Sequence, residues 1–151
     1  MPKMKPIQEW ICDSCGQTVT PENGYLEWLS PDSGPHSFNV VHNKQRCFQH
    51  DNHFDRSDNP LDVFLGAKGL QQFLAMLDLG RVLDPVGRHM PGTPELRSFV
   101  DVIRRLHIPY YEEARLYFEA AVSEGYFSDQ NEVSIFVPET CKAIIERYEN
   151  T

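Results

Sequence analysis

Two short pairs of residues constrain this chain more than anything else in it: Cys12-Asp13-Ser14-Cys15 near the start and Cys47-Phe48-Gln49-His50 further on. Each pair sets two soft or borderline ligand atoms three positions apart, the spacing at which a tight turn can aim both at one ion. Together they supply three thiolates and one imidazole, a complete tetrahedral set for a structural Zn²⁺. His42 and His53 are the alternative fourth ligands, because His42 closes a strand candidate and His53 lies three residues beyond His50. The competing reading of Cys12 and Cys15 is a redox pair, which needs a βαβ setting. Here Cys15 is followed by Gly16 and turn-forming residues, which favours the metal.

The 31 residues between the ligand pairs contain two strand candidates, Tyr25-Leu26-Glu27-Trp28-Leu29 and Phe38-Asn39-Val40-Val41. Pro31-Asp32-Ser33-Gly34-Pro35 between them is dense turn chemistry, so a hairpin is expected to bring the pairs together. The pattern resembles zinc ribbons and treble clefs, in which a metal replaces a core too small to form alone. That resemblance implies a small β unit over residues 1–58, with Trp10, Trp28 and Phe48 packed around the site. The paired knuckles are also similar to those of HNH-type nucleases. That family's catalytic segment carries a His-His or Asp-His doublet, then Asn, then a further His. This stretch has only His36 and His42, with Asn39 and Asn43 near them. The resemblance therefore covers the knuckles and implies no nuclease activity.

Residues 59–151 read as a mainly helical unit, giving an α+β chain overall. Asp51 to Asp58 is polar and reads as a loop, and Asn59-Pro60 as a helix N-cap followed by proline. Leu70, Phe73, Leu74 and Leu77 form an amphipathic stripe that Gly80 should stop. Asp84 to Pro94, with three prolines and two glycines, is either a linker or a rigid loop. Thr93-Pro94 should open a helix with the stripe Leu96, Phe99, Val100, Ile103 and Leu106. His107-Ile108-Pro109 then turns the chain into a helix over about 110–124. A hairpin from Tyr126-Phe127 to Val133-Ser134-Ile135-Phe136-Val137 and a last helix carrying Cys141, Ile144, Ile145 and Tyr148 complete the reading. This order of elements over roughly 67–149 resembles a winged helix-turn-helix.

Charge and motif content narrow the function classes. The 151 residues carry 14 basic and 22 acidic side chains, and residues 95–151 hold six of the former and eleven of the latter. The helix in the recognition position carries Glu112, Glu113, Glu119 and Glu124 against Arg115 alone, which repels phosphates and disfavours nucleic acid as partner. The adjacent Arg104 and Arg105 make a candidate basic patch. Glu112-Glu113 reads as a solvated helix start, Cys141 as a buried inert thiol, and the aromatic cluster from Tyr110 to Phe127 as core. No apolar run reaches the ~20 residues of a membrane span. With no signal-like apolar segment after Met1-Pro2-Lys3-Met4-Lys5-Pro6, the cytoplasm is the expected compartment. No P-loop, GxSxG, dinucleotide fingerprint or HExxH occurs. The leading expectation is a zinc-stabilised, non-catalytic module that binds a protein partner or a second copy of itself. A DNA-binding regulator is the alternative. A hydrolase with a second metal on His42, His53 and Asp51 or Asp55 is the third.

Overall fold

The computed structural model describes residues 3–87 and 92–151. Two short antiparallel ladders carry the N-terminal part. The first pairs β1 (Trp10–Ile11) with β2 (Thr18–Val19). The second has the order β4-β3-β5, with β3 (Gly24–Leu29) between β4 (His36–His42) and β5 (Arg56–Pro60). A 3₁₀ turn over Leu61–Phe64 leads into α1 (Gly66–Leu77). Then follow α2 (Leu96–His107), α3 (Tyr111–Ala114), α4 (Phe118–Ser123) and α5 (Pro138–Tyr148). The fold class is α+β.

Strand periodicity explains the sheet. Leu26, Trp28, Phe38 and Val40 are buried and share one face, where Trp28 stacks on Phe38 at 5.8 Å and meets Phe64 edge-on at 5.6 Å. Glu27 and Asn39 lie across from each other on the opposite face, as the two-residue alternation of a strand requires. The free edge of β4 is covered rather than bare: Val40 N–H donates to Asp13 Oδ2 (2.8 Å) and Phe38 N–H to Ser98 Oγ (3.3 Å). Such cover protects an edge from pairing with other chains.

Two hydrophobic cores result. The first joins Trp10, Val19 and the sheet to Phe64, Phe73, Phe99, Val102 and Leu106. Residues on either side of position 58 thus pack into a single core. The second lies wholly C-terminal, with Tyr111, Ala114, Ala121, Cys141, Ile144, Ile145 and Tyr148 at its centre. α5 buries the face that its spacing predicts.

Several local expectations are corrected. Arg56–Pro60 is a strand paired with β3, not the end of a loop, and Asn59-Pro60 closes it rather than capping a helix. α2 begins at Leu96, capped by the Glu95 carboxylate, which accepts from Arg97 and Ser98 N–H (3.1 and 2.7 Å). Its buried side is Phe99, Val102, Arg105 and Leu106, while Leu96 and Val100 face out. The helix expected over 110–124 is broken into α3, a 3₁₀ turn and α4. The stretch 126–137 forms turns and a 3₁₀ turn at Ser134–Phe136 instead of a hairpin. Asn131 Oδ1 captures the Val133 and Ser134 N–H groups (3.0 and 2.9 Å), and Phe136 packs against Tyr111 and Phe118. The wing of a winged helix is therefore lacking among the described residues. Of the expected linker or loop at 84–94, residues 88–91 lie outside the described residues. Among the described residues no helix is long and apolar enough to cross a membrane.

Candidate metal centre

Cys12 and Cys15 flank a turn that the backbone closes on itself. Cys12 N–H donates to Gln17 O (2.9 Å) and Gly16 N–H to Cys12 O (3.0 Å), with Gly16 left-handed at φ +76. A residue without Cβ adopts that conformation at no steric cost. The Cys15 N–H lies 3.4 Å from Cys12 Sγ. Cys47 ends the 3₁₀ turn Gln45–Cys47, and His42 ends β4. The ligand atoms of Cys12, Cys15, His42 and Cys47 all lie within 4.8 Å of one another, close enough to hold one metal ion. Cys15 alone of the four is exposed.

His42 is oriented from both sides. Its Nδ1 lies 3.3 Å from Cys15 Sγ and 3.8 Å from Cys47 Sγ, while Nε2 lies 2.8 Å from Thr18 O. A carbonyl only accepts, so Nε2 carries the proton and the Nδ1 lone pair faces the sulfurs. Metal-ligating histidines are ordinarily fixed in this way.

The thiols bias one another. Burial alone would raise Cys12, but hydrogen bonds from the backbone of Cys15, Ser14 and His42 outweigh it and bring the thiol down to about 7. Cys47 is pushed up by burial and by the neighbouring Cys12 and Cys15 thiols. Negative charges crowd one another at such a point, and a bound cation reverses that penalty. Sulfur and imidazole donors suit a soft or borderline divalent ion rather than Mg²⁺ or Ca²⁺.

His50, the fourth ligand expected from spacing, is elsewhere. Its Nε2 lies 2.9 Å from Ser37 O and 3.1 Å from Asn39 Nδ2. Asn39 is on the face opposite Val40 and His42, so His42 and His50 serve opposite sides of the hairpin. The fully buried Glu27 carboxylate holds the chain there, accepting from Gln49 N–H (2.6 Å), His50 N–H (3.4 Å) and Arg56 Nε (3.2 Å). His53 accepts the Asp55 N–H at 3.2 Å and stacks on the exposed Phe54. Asp51 is held by Gln45 Nε2 at 3.1 Å. Among the described residues, the cysteine–histidine group is the one cluster of three or more metal-ligating side chains. The second metal set of the hydrolase reading is not brought together.

Sequence reasoning missed the groups that hold the Cys12–Cys15 turn in place. Arg105 is buried, not part of a basic patch, and Glu112 is buried rather than solvated. The Arg105 guanidinium reaches Asp13 Oδ2 (2.7 Å), Glu112 Oε2 and Oε1 (2.7 and 2.8 Å) and Ile11 O (3.2 Å). Ile11 N–H donates to Glu112 Oε1 (3.1 Å), and Trp10 Nε1 to Arg105 O (2.8 Å). The available signal was weak: Arg105 lies three residues after Val102, on the helix side that turns inward. The planar fork of arginine suits two carboxylates better than a lysine would.

Comparison with protein-family models, with curated proteins and with solved structures gives no significant match.

Proposed function

We propose that this chain is a zinc-stabilised, non-catalytic protein-interaction module in which Cys12, Cys15, His42 and Cys47 hold one structural Zn²⁺. The observation that carries this reading is the closure of the donor set. Three sulfurs and one oriented imidazole would supply all four positions of a tetrahedral site, whereas catalytic zinc sites keep a position open for water. Reduced thiolates fit a reducing compartment, the cytoplasm. The interaction half rests on α1 and the segment after it, where Leu70, Leu74, Leu77, Val82 and Leu83 are exposed. Apolar surface of this kind marks contact with another macromolecule. The acidic balance of the chain favours a protein over a nucleic acid.

Elemental analysis of protein purified without added metal tests the first half, with one zinc per chain expected. A second stoichiometric ion would reopen the hydrolase reading. Sedimentation across a wide concentration range, alone and with copurified protein, tests the second half. A Leu70→Glu/Leu74→Glu variant should abolish the association and keep its zinc. If the wild-type chain stays monomeric and partnerless, the interaction half fails and the metal half stands.

A further inference from the structure

We propose that the ion at Cys12, Cys15, His42 and Cys47 also governs the second core, through the clamp that Arg105 forms between the cysteine turn and Glu112. The inference rests on the zinc reading and names a regulation of that same site. Asp13 lies between two of the ligands, so the turn that wraps the ion also sets the position of its carboxylate. Asp13, Ile11 O and Ile11 N–H are three partners that this segment supplies to the buried Arg105–Glu112 pair. Glu112 belongs to α3, whose Tyr111 and Ala114 are part of the second core. The charge pattern is one guanidinium between two carboxylates, with Arg105 and Glu112 buried and Asp13 partly exposed.

β1 and β2 have two residues each. So short a ladder, with the backbone bonds inside the turn and those from Asp13 to Val40, holds the turn only weakly, and the ion adds the largest single constraint on it. Once the turn frays, Asp13 and Ile11 withdraw: Arg105 Nη1 loses its partner in a buried setting, and the Arg105–Glu112 pair loses both of its Ile11 contacts. That arrangement strongly favours opening or water entry. The entry to α3 is already strained: Tyr110, immediately before it, is left-handed at φ +70. Such a residue keeps that conformation only while its surroundings enforce it. Loss of the ion thus passes from the turn, through Arg105 and Glu112, to α3 and the helices packed on it.

Cys141 reports on this directly. It is fully buried in the second core, and burial raises its thiol to about 11. Pulsed N-ethylmaleimide labelling with mass spectrometry should show Cys141 protected in the zinc-loaded chain. Chelation should accelerate its labelling by about tenfold or more, the mark of a local opening. Zinc-loaded Arg105→Met should label fast before chelation and gain little from it. Glu112→Gln, which keeps the side-chain shape, should fall between and serves if Arg105→Met does not fold. Hydrogen exchange over β3 and β4 in the same samples should stay slow. The coupling is overturned if metal-free wild type protects Cys141 as well as the loaded form does. It is equally overturned if loaded Arg105→Met matches wild type, or if β3 and β4 lose protection together with Cys141. A chain that neither carries nor takes up zinc overturns the zinc reading instead.

Discussion

His42 illustrates how a single imidazole is selected from several near the same cysteines. It ends β4 on the face that carries Phe38 and Val40, and Thr18 O fixes its proton on Nε2. His42→Ala should therefore weaken metal binding by more than the roughly 10–100-fold that loss of a supporting partner costs. His50→Ala should leave the stoichiometry unchanged and cost about 1 kcal/mol of stability from the hydrogen bond to Ser37 O. Competition against a chromophoric chelator ranks the two variants, and the reverse order would restore the Cys47-x-x-His50 pairing. The thiols add a pH dependence. Cys12 sits at about 7, below the ordinary 9, so it is ionised above neutrality and takes up a proton as pH falls through that value. Cys47 is raised, so at pH 7 it must surrender a proton to bind. Metal binding at pH 7 should then release more than about one proton per ion, and affinity should fall as pH drops below 7. Calorimetry in buffers of different ionisation enthalpy measures that release; a heat independent of buffer would contradict it.

α1 shows why periodicity identifies a face but not what covers it. Leu70, Phe73, Leu74 and Leu77 share a stripe, yet only Phe73 and Gly69 are buried, against Phe64 and Phe99. Sequence spacing says which residues point the same way; whether another element arrives there depends on contacts distant in sequence. α5 was legible because its stripe meets the second core squarely. The stretch 126–137 was not, because alternating apolar residues suit a strand and an aromatic-anchored turn equally well. Gly69 provides the element-scale test. Replacing a helical glycine by alanine ordinarily gains about 1 kcal/mol. Here a Cβ would overlap the Phe64 backbone carbonyl, and overpacking costs about 1–3 kcal/mol or more when the neighbour cannot move. Gly69→Ala should be net destabilising in denaturant titration. Leu74→Gln, at an exposed position, should stay within about 0.5 kcal/mol of wild type. A stabilised Gly69→Ala would mean that the 3₁₀ turn and α1 are not in contact as described.

At the scale of the molecule, the sheet and two members of the cysteine–histidine group, Cys12 and Cys47, meet in the first core. Leu26, Phe38, Phe64, Phe73 and Phe99 interlock across β3, β4, the 3₁₀ turn at Leu61–Phe64, α1 and α2, and Trp10, Cys12, Val19 and Cys47 belong to the same core. The sequence pattern of ligands made the turn and its hairpin visible. It could not reveal that Arg105, 92 residues from Asp13, anchors them, since nothing local marks a contact of that span. The first core runs across position 58, so residues 1–58 share it with α1 and α2. Structural zinc supplies about 10–16 kcal/mol of apparent binding free energy in small peptides, comparable to the whole stability of an ordinary domain at about 5–15 kcal/mol. Chelation, or Cys47→Ser, should therefore lower the thermal midpoint markedly and remove the near-ultraviolet signal of Trp10, whose indole is pinned to Arg105 O. Trp28, held by Phe38 and Phe64, should keep its signal at low temperature, and most far-ultraviolet ellipticity should remain. Complete loss of both tryptophan signals would show that the sheet needs the ion as well. No change in either would show that Cys12, Cys15, His42 and Cys47 contribute nothing to the fold beyond their packing.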